Sequence, residues 1–205
     1  MATIKNIIFD LGGVLINLDF NKTTQAFREL GFPHFENMYS QFKVDQLFEK
    51  LETGKISQKE FYTVLLKIGN VRLVAEDIKN AWNSLLLDFR EDSLAYLDTL
   101  KKDYKIFLLS NTNIIHYDAF NEILQKQLGH HSLEGYFTKT YYSHLIGLRK
   151  PNNDVFEFVL RDAGITAADT LFIDDTAINV EAAKEMGFRT HLLLPGEKIE
   201  SLIYA

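Results

Sequence analysis

Short apolar runs that stop abruptly at polar or turn residues, with amphipathic stretches between them, constrain the folding of this 205-residue chain more than any other feature. Ile7-Ile8-Phe9 stops at Asp10 and Gly12-Gly13, and Ile106-Phe107-Leu108-Leu109 at Ser110-Asn111. Thr170-Leu171-Phe172-Ile173 stops at Asp174-Asp175, and Thr190-His191-Leu192-Leu193-Leu194 at Pro195-Gly196. Each reads as a buried strand feeding a loop. Helical periodicity over Asp92 to Lys102, Asp154 to Ala163 and Asn179 to Met186 predicts β-α-β units, hence an α/β fold around a parallel sheet. In such sheets ligands sit at the carboxyl ends of the strands.

From about Asn17 to Phe89 the pattern changes to helical periodicity with no convincing strand. Phe27, Leu30 and Gly31 mark one helix and its end, Leu47-Phe48 and Leu51 a second, Phe61, Leu65 and Ile68 a third, and Ile78, Trp82 and Leu85 a fourth. This predicts an all-helical insertion over residues 17–89 within a core made of residues 1–16 and 90–205, placed to cover the sheet's ligand end. Its aromatic residues, Trp82 included, read as packing rather than as ligand contacts.

A hydrophobic fraction of 46%, a charged fraction of 24%, and only 3 prolines and 11 glycines exclude collagen-like, low-complexity and disordered classes. The absence of cysteine removes disulfide scaffolds, thiolate zinc sites, iron–sulfur clusters and cysteine nucleophiles. A net charge of −6 argues against nucleic acid as a partner, although a few local cations suffice to hold one small anion. The apolar run before Asp10 is too short for a signal peptide, and no window is long and apolar enough for a membrane span. A cytoplasmic monomer acting on a small molecule is the expectation.

Four polar clusters share one placement, after a strand-like run or in a loop before a helix: Asp10, Ser110-Asn111-Thr112, Lys150-Pro151 and Asp174-Asp175. A parallel sheet delivers them to one edge. Three carboxylates there repel one another unless a cation is present, and oxygen-only ligation without a histidine pair points to Mg²⁺ before zinc. Mg²⁺ and Lys150 attract phosphoryl oxygens, while the Ser110 hydroxyl and neighbouring backbone N–H groups supply hydrogen bonds. One carboxylate is left to attack phosphorus, splitting one hard displacement into two.

These residues resemble the haloacid dehalogenase (HAD) superfamily over nearly the whole chain. Phe9-Asp10-Leu11-Gly12-Gly13-Val14-Leu15 is similar to motif I, Leu109-Ser110-Asn111-Thr112-Asn113 to motif II, Gly147-Leu148-Arg149-Lys150-Pro151 to motif III and Phe172-Ile173-Asp174-Asp175 to motif IV. The resemblance implies a Rossmann-like three-layer core with a helical C1 cap after motif I, and a Mg²⁺-dependent phosphatase working through an aspartyl phosphate. Asp10 is then nucleophile and metal ligand, and Ser110 and Lys150 bind the transferring phosphoryl group, with Asn111 adding its backbone amide. Asp175 is the direct metal ligand, Asp174 acts through a water, and the Gly12 carbonyl completes the protein's share of the shell.

Many phosphatases of this family carry a second Asp as general acid and base two residues after the nucleophile, where this chain has Gly12. A positioned acid or base is worth roughly 10²–10⁴-fold. Its absence suggests a leaving group that departs with little help, such as an anomeric sugar phosphate. Glucose-1-phosphatase-like members are similar in Asp19-Phe20-Asn21 and in Ser110-Asn111-Thr112-Asn113 with His116 beyond. Asp19 and His116 are candidate substitutes for the acid. The plainer readings are that Asp19 caps the first inserted helix and His116 begins the helix after motif II. A slow aspartyl-phosphate acceptor or phosphate-binding module is the alternative that Gly12 keeps open.

Overall fold

The computed structural model describes residues 3–32, 34–35, 47–69, 72–202 and 204. In chain order the elements are β1 (Asn6–Phe9), β2 (Ile16–Leu18), α1 (Phe20–Glu29), α2 (Leu47–Glu52), α3 (Gln58–Ile68), α4 (Ala75–Asn83), β3 (Leu86–Phe89) and α5 (Glu91–Leu100). There follow β4 (Lys105–Ser110), α6 (Ile114–Leu128), β5 (Lys139–Tyr142), α7 (Ser143–Ile146), α8 (Asn153–Ala163), β6 (Thr170–Asp174), α9 (Ala177–Glu185) and β7 (Arg189–Leu192).

Five strands form one sheet in the order β5-β4-β1-β6-β7, and every pairing in it is parallel. Because successive side chains of a strand point to opposite faces, each central strand feeds two cores. Ile7, Phe9, Ile106, Leu108 and Ile173 pack with Leu94, Leu97, Phe120 and Leu124 of α5 and α6. Ile8, Phe107, Leu109 and Phe172 pack on the other face with Val155, Phe156 and Val159 of α8 and Ala183 of α9. Burial on both faces explains why these strands read as continuous apolar runs rather than alternating ones. The result is the three-layer α/β core expected from the sequence.

Strand order reverses at β1, with β4 on one side and β6 on the other, which makes its carboxyl end the switch point of the sheet. Asp10 is the next residue.

The stretch from 17 to 89 departs from its expected all-helical character at both ends. β2 and β3 pair antiparallel, with Ile16 opposite Phe89 and Leu18 opposite Leu86. Strands this short, each carrying a polar residue (Asn17 and Asp88), have too little alternation to stand out. Among the described residues four helices lie between them, with Asp19 capping α1 by accepting from Asn21 N at 3.0 Å. Ser57 and Glu60 form a reciprocal capping box at the start of α3. β5 is the other element the sequence concealed, because it is an edge strand that opens on Lys139 and Thr140.

The helices share a core of Phe27, Phe32, Leu51, Phe61, Leu65, Ile78 and Trp82, and this core borrows Ile115 from α6. Trp82 is packing, as its periodicity implied: its ring lies 5.1 Å from Phe48 and 5.3 Å from Phe61. His116 stacks on it at 5.0 Å, with 15° between the ring planes.

Both nitrogens of His116 are engaged, Nδ1 with Asn113 Nδ2 and Nε2 with the Trp82 carbonyl, each at 3.1 Å. Since the amide nitrogen donates and the carbonyl accepts, the ring is the neutral Nε2–H tautomer. Burial holds its pKa down at about 4, against the pull of the Trp82 carbonyl. A depressed histidine contributes stability that is complete above its ordinary pKa of 6.5 and is lost as pH falls towards 4. Between about pH 7 and about pH 4.5 this residue accounts for a loss of about 2 kcal/mol. Urea unfolding at both pH values should show a smaller acid-induced loss in His116→Gln; an unchanged difference would dismiss the ring as a source of acid sensitivity.

Candidate active site

Asp10 is anchored at the end of β1 by its own N–H, which donates to the Ile173 carbonyl at 2.9 Å. Pairing of Phe9 with Ile173 brings the next residues, Asp10 and Asp174, alongside each other, and pairing of Phe9 with Leu108 brings Leu109 and Ser110 up on the other side. Into this corner reaches Lys150, whose side chain is 1% exposed. Its Nζ donates to Asp10 Oδ1 at 2.8 Å, to Asp174 Oδ2 at 2.7 Å and to the Leu109 carbonyl at 2.8 Å. An ammonium has three protons, so these partners use all of them. Lys150 therefore acts on any further anion through its charge, or by releasing one of these partners.

The main chain of Lys150 is held as firmly as its tip. Asn111 Oδ1 accepts from Lys150 N at 2.9 Å, and Asn111 Nδ2 donates to the Lys150 carbonyl at 2.8 Å. Ser143 does the same for the Ser110–Asn113 loop, accepting from Thr112 N at 2.9 Å and donating to the Thr112 carbonyl at 2.7 Å. Asp174 is fixed by Thr176 N at 2.8 Å and by Asn179 Nδ2, whose separation from its two oxygens is 3.2 and 3.1 Å.

The charges do not balance locally. Burial, then the neighbouring Asp174 and Asp175, push the Asp10 carboxyl up to about 7 even though Lys150 opposes them. Asp175 is raised as well, by partial burial and by Asp174. Burial disfavours the Lys150 ammonium, but Asp10 and Asp174 outweigh it and raise its pKa. Asp10, Asp174 and Asp175 each present an oxygen within 4.8 Å of the others. Three carboxylates facing one ammonium leave an excess of negative charge, and an all-oxygen donor set suits a hard divalent cation of the Mg²⁺ kind.

Two adjacent glycines shape this edge for different reasons. Gly13 has φ +68°, and a Cβ on it would lie 1.9 Å from Asp175 Oδ2. Gly12 stands against β2, where a Cβ would meet Leu18 Cδ1 at 2.7 Å.

The structure thus brings Asp10, Lys150, Asp174, Asp175, Ser110 and Asn111 to one sheet edge, with Ser110 buried at the end of β4. Asp19 and His116 are employed elsewhere, as helix cap and as partner of Trp82. Sequence reasoning missed the supporting residues Ser143 and Asn179. Asn179 had a faint signal, since it falls one turn into the helix that follows the Asp174-Asp175 pair; Ser143, which opens the short α7 just after a concealed strand, had none.

A family model for haloacid dehalogenase-like hydrolases matches residues 4–187. The chain belongs to this family. A D-ribitol-5-phosphate phosphatase of Bacteroides thetaiotaomicron is 34% identical to this HAD-like hydrolase over 189 residues, covering 91% of the chain and 90% of the relative. A HAD family enzyme from the same organism, crystallised with magnesium and inorganic phosphate, superposes with a TM-score of 0.86 at 37% identity, covering 96% and 97% of the two chains. A HAD-like hydrolase of Porphyromonas gingivalis gives 0.85 at 36% identity, covering 96% and 94%.

Two substitutions test the site of the HAD-like hydrolase directly. Lys150→Met strands two carboxylates and should lower stability by about 3–5 kcal/mol. Urea denaturation checks it, and a loss under about 1 kcal/mol would mean the carboxylates are compensated otherwise. Gly13→Ala displaces Asp175, so calorimetric titration should show Mg²⁺ binding weakened by about tenfold or more; unaltered affinity would remove Asp175 from the cation site.

Proposed function

We propose that this HAD-like hydrolase is a Mg²⁺-dependent phosphomonoesterase that forms an aspartyl phosphate on Asp10 and acts on a small phosphorylated metabolite. The observation that carries the proposal is the cluster at the switch point, in which Asp10 and Asp174 share the Lys150 ammonium and Asp175 presents an oxygen beside them. The named activity of the 34%-identical relative and the magnesium and phosphate bound by its structural neighbour support it.

In this reading Asp10, Asp175, the Gly12 carbonyl and, through water, Asp174 hold Mg²⁺, which supplies positive charge beside the phosphoryl oxygens. Lys150 fixes Asp10 through Oδ1 and leaves Oδ2 to attack phosphorus. Ser110 and the backbone amide of Asn111 bind the phosphoryl group as its oxygens move into the plane. The Asp10–phosphorus bond forms as the ester bond breaks, and water then cleaves the acyl phosphate, restoring Asp10 and releasing phosphate. Residues 17–89 serve as a cap that excludes bulk water and selects small substrates.

The substrate class we assign is a sugar or polyol phosphate, on the strength of the relative named for D-ribitol 5-phosphate. Gly12 favours a second, narrower reading, an anomeric sugar phosphate. No carboxylic acid stands two residues after Asp10, and an anomeric oxygen needs less protonation to leave than an ordinary alkoxide.

Phosphate release should be followed over D-ribitol 5-phosphate, sugar 6-phosphates and sugar 1-phosphates. Asp10→Asn should abolish all of it with the fold intact, and EDTA should stop activity that Mg²⁺ restores. Preference for terminal phosphates would select the polyol reading and preference for 1-phosphates the anomeric one. Metal-independent or Asp10-independent turnover would overturn both, and a stable phosphorylated Asp10 without turnover would make the chain an acceptor module.

A further inference from the structure

The insertion meets the sheet edge at a contact that the chemistry above does not use. α2 ends at Glu52, whose Oε2 lies 3.1 Å from Arg149 Nε in an ion pair without hydrogen-bond alignment, with the side chains only 22% and 25% exposed. Two residues later Gly54, at φ +65°, passes so near the main chain of α7 that a Cβ on it would lie 2.3 Å from the His144 carbonyl oxygen. Gly147, which ends α7 at φ +74°, faces the Thr53 carbonyl from the other side. The turn is tied to its own helix by Gly54 N to Leu51 O at 3.1 Å and Lys55 N to Lys50 O at 2.7 Å. Main chain is thus pressed on main chain, with the Glu52–Arg149 pair beside it, one residue before Lys150.

We propose that Glu52 and Arg149 are positioning residues, and that their ion pair, seated on the Gly54–His144 contact, latches the insertion against the loop that carries Lys150. Lys150 itself is held by Asn111, Asp174 and Leu109, so the pair acts on where the insertion rests and not on the lysine. A partly covered ion pair shifts an equilibrium by about fivefold to tenfold. That is enough to bias a cap towards closure and small enough to release on every turnover. The kinetic arm of the test rests on the phosphatase reading; the exchange arm does not.

Four proteins decide it: wild type, Glu52→Arg, Arg149→Glu, and the double variant that restores the pair with its charges reversed. Backbone hydrogen exchange at residues 53–55 and 143–147 should quicken about fivefold or more in each single variant and return to within about twofold of wild type in the double. The neutral Glu52→Gln serves if a reversal fails to fold, with the same quickening expected. For the preferred phosphomonoester, kcat/KM should fall about tenfold in the singles and recover in the double. Unchanged exchange in the singles, or a double no better than the worse single, would overturn the latch. Normal exchange changes in a protein without Asp10-dependent turnover would uphold the latch and overturn the phosphatase reading.

Discussion

One ammonium group organises this site. Lys150 Nζ is buried with two carboxylates and a carbonyl as its only hydrogen-bond partners among the described residues. Removing a charge from water is tolerated only when its partners replace the lost solvent, and here that requires β1, β4 and β6 to end at the same height. Asp10 comes from the first, the Leu109 carbonyl from the second and Asp174 from the third. The parallel register of the sheet is therefore a condition for the site, and a slip between β1 and β6 would separate Asp10 from Asp174 as surely as a mutation.

The same ammonium leaves the edge unfinished. It compensates part of a three-carboxylate charge, and what remains raises the pKa of Asp10 and Asp175. A site in this condition attracts two things, a divalent cation and, once that is bound, an anionic ligand. The fold positions both at the point where strand order reverses, and the supporting bonds from Asn111, Ser143 and Asn179 fix the geometry before anything binds. Preorganisation of this kind is what makes electrostatic catalysis effective, since no reorientation is left for the reacting step.

How much of this was legible in sequence follows from what burial does to a pattern. Strands β1, β4 and β6, covered on both faces, appear as uninterrupted apolar runs whose ends are unmistakable, so Asp10, Ser110 and the Asp174-Asp175 pair could be placed from residue types alone. β2, β3 and β5 are short or lie at an edge, and their polar residues erase the signal. Lys150 belongs to a loop and follows no periodicity; its place before a helix, beside Pro151, put it with the other polar clusters, and the family motif added its role. The Glu52–Arg149 contact was beyond reach, because Glu52 and Arg149 lie far apart in sequence and come together only through the packing of the insertion on the core.

The two glycines after Asp10 show how a sequence departure becomes intelligible once its surroundings are known. Gly13 is demanded by its backbone and by Asp175. Gly12 has no positive φ to justify it; what stands in the way of a side chain there is Leu18 Cδ1, carried by the strand that pairs with β3 at the base of the insertion. Hydrocarbon thus occupies the direction in which an acidic side chain would start. In the proposed reaction this moves the burden of proton transfer away from the protein: the leaving oxygen departs on its own acidity or takes its proton from water. A side chain at Gly12 therefore requires the tip of Leu18 to shift, and Leu18 pairs with Leu86 of β3 at the base of the insertion.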